Sequence, residues 1–331
     1  MHLIYPRKAS KANPFLADLV ASLESRGNRV ASFLPRGLVP SRSTTIILNW
    51  AENLWSDAPD NWAKKMTKSV GTRLLPFLLK AQAARGAQIV MIIHNAYPHE
   101  DSRGSSFWKV FPSFLTSVQH FVHFTEASRS LYVDQLGIRG HSIVHPFPQK
   151  MENHAYYSEV KLGQPKLLFI GADQERKQLH QLLDPTFRPT GFVLLASGFA
   201  NEQEFRSRYG FDPIIKASEV TWLGRRLSSE QLENCLRLSS ILVLNQQDQL
   251  NSGLMWMAIS RGLRVLAPET PAFLELAARL GPGWLRLFPP LIEPPVFQAL
   301  VHEFLDAPST PPPKPPSFLS FAEAINSLGN E

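Results

Sequence analysis

Residues 242–268 read LVLNQQDQLNSGLMWMAISRGLRVLAP, and they decide the architecture. Ile241 to Leu244 is a short apolar run, the pattern of a strand buried on both faces. Asn245 to Gly253 is polar and contains no Lys, Arg or Pro. From Leu254 the spacing predicts a helix, with Leu254, Met257, Ala258 and Leu263 on or near one stripe and Gly262 closing it. Arg264 to Ala267 then reads as the next buried strand. Strand, loop, helix and strand make one parallel unit of an α/β sheet. Where the loop meets the helix, Asn251 or Ser252 can act as the cap, and Gly253 lets a ligand approach the backbone. Free N–H groups and the positive helix end make that point suited to an anion. Capping alone also accounts for Asn251 and Ser252.

The chain has 331 residues, more than one core usually serves, so two domains are expected. No apolar run reaches transmembrane length, and the first residues lack the apolar core of a signal peptide. The one cysteine, Cys235, lies inside a helical pattern and offers neither a disulfide nor a metal cluster. A cytoplasmic location is the simplest expectation. The net charge of +6 suits anionic ligands or an anionic membrane surface. No nucleic acid partner is expected, because no zinc finger, RNA-binding box or basic helix with interleaved aromatics occurs.

Working back to the N-terminus, His2–Tyr5 reads as a strand, Phe15–Ser25 as a helix ended by Gly27, and Arg29–Leu34 as a second strand. The basic loop between the first strand and helix ends in Asn13-Pro14. Thr44–Leu48 is a strand running into Asn49-Trp50-Ala51-Glu52, polar and aromatic residues suited to stacking on sugars and contacting hydroxyls. A long helix, Asp60–Arg85, leads to the strand Ala87–Ile93 and then to His94-Asn95-Ala96-Tyr97-Pro98-His99-Glu100. Two histidines and a carboxylate at a strand end form a candidate site. Metal binding is not expected there, since the loop lacks H-E-x-x-H helical spacing. Gln119–Phe124 is a strand, with Thr125 or Ser128 capping the helix that Glu126 begins. Residues 149–165 read as a linker. A second set of units follows: Lys166–Ile170, Gly191–Ala196 and Val220–Leu223 as strands, and a capped helix from Ser228. A Pro-rich stretch, 307–316, precedes a terminal helix, Phe318–Leu328.

Two α/β halves, with N-P-F after the first strand, N-W-x-E after Leu48, H-N-x-x-P-H-E after Ile93, G-x-x-x-x-x-K at Gly171–Lys177 and N-S-G before the helix at Gly253, resemble a bacterial glycosyltransferase of the GT-B fold. The resemblance is closest to enzymes that build exopolysaccharide or glycolipid units, including mannosyl- and glucuronosyltransferases. It implies two facing Rossmann-like domains with parallel sheets flanked by helices, residues 1–148 binding an acceptor and 166–306 a donor, followed by 307–331. It implies transfer of a hexose or hexuronic acid from a UDP- or GDP-sugar to a hydroxyl of a lipid-linked or oligosaccharide acceptor, with no cofactor.

The resemblance places Lys177, with Arg176 beside it, on the donor diphosphate, and Asn251, Ser252 and Gly253 on the phosphates and donor sugar. Gly171, Arg225 and Asn245 join them as donor-side candidates. Asn13, Trp50 and Asn95 are acceptor-side candidates. Glu52, His94, His99, Glu100 and Glu126 are the candidate catalytic groups, any of which would serve as base if the reaction inverts. The sequence departs from the commonest retaining subgroup: Gln249 and Met257 stand where two glutamates are usual, and Ala172 where an arginine is usual. A non-catalytic nucleotide-sugar or glycan-binding protein on the same fold is the alternative.

Overall fold

A computed structural model describes residues 1–5, 14–33, 44–49, 74–94, 111, 114–135, 137–138, 140–148, 166–170, 182, 184–187, 193–197, 220–223, 227–246, 250–307, 311 and 313–328. The chain divides into two compact units, Met1–Lys150 with Pro315–Glu331, and Met151–Lys314.

The first unit holds strands β1 (His2–Tyr5), β2 (Val30–Ser32), β3 (Thr45–Asn49), β4 (Gln88–Ile92), β5 (His120–His123) and β6 (His141–Val144). They form one sheet in the order β2-β1-β3-β4-β5-β6, every pair parallel. Each residue of β3 is buried, as expected when helices cover both faces. Helix α1 (Pro14–Ser25) lays Phe15, Leu16, Leu19 and Leu23 on the core, and Gly27 ends it at φ 78°. Residues 74–84 are helical, the described part of the long helix expected from Asp60. Helix α2 (Glu126–Ser130) follows β5 and continues into a wider π turn, Leu131–Gln135, which the sequence pattern did not indicate.

The second unit holds β7 (Lys166–Ile170), β8 (Val193–Ser197), β9 (Val220–Leu223), β10 (Ile241–Val243), β11 (Arg264–Pro268) and β12 (Leu285–Phe288). Its sheet order is β12-β11-β10-β7-β8-β9, again all parallel. The chain builds outward from β7 to β9, then returns to start at β10 on the other side of β7. The order therefore reverses between β7 and β10, the switch point at which open α/β sheets form a crevice.

Helix α3 (Ser229–Leu238) enters β10 and starts with a reciprocal cap between Ser228 and Gln231. Helix α4 (Gly253–Ser260) joins β10 to β11, and α5 (Pro271–Leu280) joins β11 to β12. Six of the eight residues of α4 are apolar, so spacing alone does not single out its inner face. Met255, Trp256, Ala258 and Ile259 are buried, whereas Leu254 and Met257, assigned to the inner stripe from sequence, are partly exposed. Gly262, at φ 77°, ends the helix as expected, and the Leu263 N–H turns back to the Ala258 carbonyl.

Among the described residues, the elements not anticipated include α5, β12 and helix α6 (Pro294–Asp306), which buries Phe297, Val301 and Phe304 against Leu167, Phe169 and Val243. Helix α7 (Phe318–Leu328) packs on α1 in the first unit, with Phe318 and Phe321 against the Phe15 ring and an ion pair between Arg26 and Glu323.

Candidate functional site

The switch point of the second unit carries a cavity of about 160 Å³. Phe169 and Ile170 at the end of β7, Val243 and Leu244 at the end of β10, and Asn245, Gln246, Ser252, Gly253 and Leu254 line it. It is smaller than the roughly 300–1,000 Å³ pockets that enclose whole drug-sized ligands, so it suits one part of a larger ligand. Backbone pairing holds the strands that end there, since Leu242 pairs with Leu168 and with Val265 and all three are buried.

Ser252 has the extended backbone of a helix cap, φ −137° and ψ 108°, and its Oγ accepts the Met255 N–H at 3.1 Å. The first bond closing the helix runs from the Trp256 N–H to the Ser252 carbonyl. Gly253 and Leu254 begin the helix, so helical geometry gives their N–H groups no acceptor within it. Both residues border the cavity. Ser252 is thus a cap and a wall of the cavity at once, and the two readings of N-S-G are compatible. Asn245, Asn251 and Ser252 are buried, and Asn245 lies on the same wall. Uncharged donors and the positive helix end together favour an anionic group.

The far end of α4 is tied down. The Arg261 guanidinium donates from Nε to both carboxylate oxygens of Glu233 at 2.8 and 2.6 Å, and from Nη1 to the Met257 carbonyl. This joins α3 to the C-terminus of α4 and fixes the direction in which its N-terminus points.

In the first unit, β3, β4 and β5 end side by side. His94, two residues past β4, is buried, and its Nε2 donates to Asn49 Oδ1 at 2.7 Å. The Phe15 ring meets it edge-on at 5.0 Å, and Phe124 lies at 5.3 Å. Asn49 was not among the candidates, although its place at a strand end before Trp50 was the available signal.

Glu126 is exposed and pairs with Arg129 at 2.6 Å at the start of α2, which Thr125 caps through the Ser128 N–H. His123, also unanticipated, is fully buried, shares a hydrogen bond with Ser128 Oγ at 3.1 Å, and lies against Tyr132. Burial, reinforced by the positive charge of Arg129, lowers its pKa to about 4. Asn13, Trp50, Glu52, Asn95, His99, Glu100, Gly171, Arg176, Lys177 and Arg225 lie outside the described residues.

No protein-family model matches the sequence, and no curated protein matches it significantly. Solved structures do match in fold. TarM is 13% identical with a TM-score of 0.61, the alignment covering 95% of this chain but 58% of TarM, so this chain spans little more than half of that protein's length. A sucrose-phosphate synthase from Thermosynechococcus elongatus and Anabaena HepE in complex with UDP are each 12% identical at a TM-score of 0.60, covering 99% of this chain and 96% of theirs. These neighbours are GT-B glycosyltransferases, and the chain shares their fold.

Proposed function

We propose that the protein is a glycosyltransferase that moves a hexose or hexuronic acid from a UDP- or GDP-sugar to a hydroxyl of a lipid-linked or oligosaccharide acceptor in bacterial polysaccharide synthesis. The observation that carries the proposal is the cavity at the β7/β10 switch point, closed on one side by the N-terminus of α4. The donor diphosphate binds there, with Asn245, Ser252 and the first N–H groups of α4 on its oxygens. Asn251 joins them on the phosphates and donor sugar, and Lys177, with Arg176, Gly171 and Arg225, completes the donor side from residues that the sequence pattern supplies. As the glycosidic bond to the donor breaks, negative charge collects on the leaving diphosphate. A lysine and a helix N-terminus stabilise it without a metal ion. The fold shared with HepE, whose complex holds UDP, supports a nucleotide diphosphate as the leaving group.

On the acceptor side, Asn13, Trp50 and Asn95 position the sugar. His94 is favoured over Glu126 as the group that receives the acceptor proton, because Asn49 holds its ring while the Glu126 carboxylate is engaged by Arg129. Glu52, His99 and Glu100 remain candidates from the sequence. The protein works in the cytoplasm, on the inner face of an anionic membrane that presents the acceptor. Gln249 and Met257, standing where glutamates are usual, support the second reading, a binding protein without turnover.

Thermal-shift measurements against UDP- and GDP-sugars test the proposal. A specific donor at 100 times its dissociation constant stabilises the fold by about 2.7 kcal/mol. An unchanged melting temperature with every nucleotide-sugar would remove its basis.

A further inference from the structure

The helix at 74–84 buries one face and leaves an apolar one bare. Leu75 and Leu79 are in the core, and Ser117 Oγ donates to the Pro76 carbonyl, which pins the helix to its neighbour. On the opposite side Phe77 is 71% exposed and Leu74 is 59% exposed. Three and four residues on, Lys80 and Ala81 continue the same exposed strip, and Ala84 and Arg85 end it. The sequence from 61 to 99 holds six Lys and Arg residues and no Asp or Glu.

We propose that this face is a docking surface for an anionic lipid bilayer, with Leu74 and Phe77 entering the headgroup boundary and Lys80 and Arg85 at the lipid phosphates. It rests on the reading of a membrane-presented acceptor and names the part of the chain that meets the membrane. Exposed aromatic and aliphatic side chains beside long cationic ones are the chemistry of interfacial helices, because the cationic heads reach the phosphates while their stems lie along the apolar surface. Each cation near an anionic surface adds attraction that salt screens. A second copy of this chain fits the face poorly, since a two-fold contact would set Lys80 and Arg85 against their own copies. No Asp or Glu occurs between residues 61 and 99 to relieve that repulsion.

Co-sedimentation of the full chain with vesicles tests the proposal. Binding is expected to vesicles of phosphatidylcholine mixed with phosphatidylglycerol, and to fall as salt rises. Leu74→Ser with Phe77→Ser should weaken it at least about tenfold, since two exposed apolar side chains lose their burial. Lys80→Gln with Arg85→Gln should weaken it and flatten its salt dependence. Absence of binding to the mixed vesicles, or equal binding by the Leu74→Ser/Phe77→Ser protein, would overturn the proposal. So would concentration-dependent self-association that the same pair abolishes without vesicles, or equal binding to phosphatidylcholine alone. The readout involves no nucleotide: if vesicle binding fails while nucleotide-sugars still raise the melting temperature, this surface is wrong and the donor site stands.

Discussion

Replacing Gly253 by valine separates a ligand site from an ordinary helix start. Gly253 is the first residue of α4 and borders the 160 Å³ cavity. Its helical backbone is open to valine, and in a helix valine is no worse than glycine, so the fold should survive. A β-branched side chain at that point adds three carbons to the wall and comes between a ligand and the first N–H groups. Loss of a charge-assisted hydrogen bond costs roughly 1.5–3 kcal/mol, and crowding a ligand into the reduced space costs roughly 1–3 kcal/mol more. The sum is roughly 2.5–6 kcal/mol, a loss of affinity of about 70-fold or more. Calorimetric titration with the nucleotide-sugar identified by thermal shift, on a protein checked by circular dichroism, reads that loss. Ser252→Ala is the control: it removes the cap accepted from Met255 and one hydroxyl, costing about 1 kcal/mol of stability and about 1 kcal/mol of affinity. A folded Gly253→Val protein that binds the donor as well as the parent would refute the reasoning and leave N-S-G a cap alone.

Other outcomes follow from the same geometry. Lys177→Ala should weaken donor binding by roughly 1.5–3 kcal/mol in the same titration, and equal affinity would remove it from the diphosphate. His94→Ala should lower turnover about 100-fold with little change in donor affinity, and unaltered turnover would move the base to Glu52, His99, Glu100 or Glu126. Glu233→Ala removes the carboxylate that accepts two hydrogen bonds from the buried Arg261 guanidinium. Because Glu233 is partly exposed, the loss in chemical denaturation should be about 2 kcal/mol, smaller than for a fully buried pair. His123 titrates at about 4 in the folded chain against 6.5 as the ordinary value, so the unfolded chain binds its proton first as pH falls. Its contribution is constant above pH 6.5, and about 3 kcal/mol is lost between pH 6.5 and about 4. His123→Phe should flatten that part of the stability profile.

What could be read from the sequence was local. Ile241–Val243, the Ser228 cap, the Thr125 cap and the glycine stop at Gly262 each depend on residues within a few positions of one another. The order of strands was not readable, because β7 meets β10 through pairs such as Leu167 with Ile241, more than seventy residues apart. The cavity depends on that pairing, so Phe169 and Ile170 could not be assigned to it in advance. Helix α6 was missed because prolines crowd residues 289–295 and read as loop. Pro294 and Pro295 in fact open the helix, where proline is tolerated, and the spacing of Phe297, Val301 and Phe304 was the signal. His123 looked like any strand residue. Its lowered pKa comes from burial beneath α2, which is a tertiary effect.

Glycosyl transfer itself tests the central claim most directly. The purified chain is given the nucleotide-sugar that stabilises it, together with a lipid-linked or oligosaccharide acceptor and EDTA, and release of the nucleoside diphosphate and labelling of the acceptor are followed. The account predicts labelled acceptor and one diphosphate released per sugar transferred, with Gly253→Val inactive. Tight binding of the nucleotide-sugar with neither transfer nor hydrolysis would contradict it and leave a binding protein, and activity restored only by added Mg²⁺ would contradict the metal-free stabilisation of the leaving group.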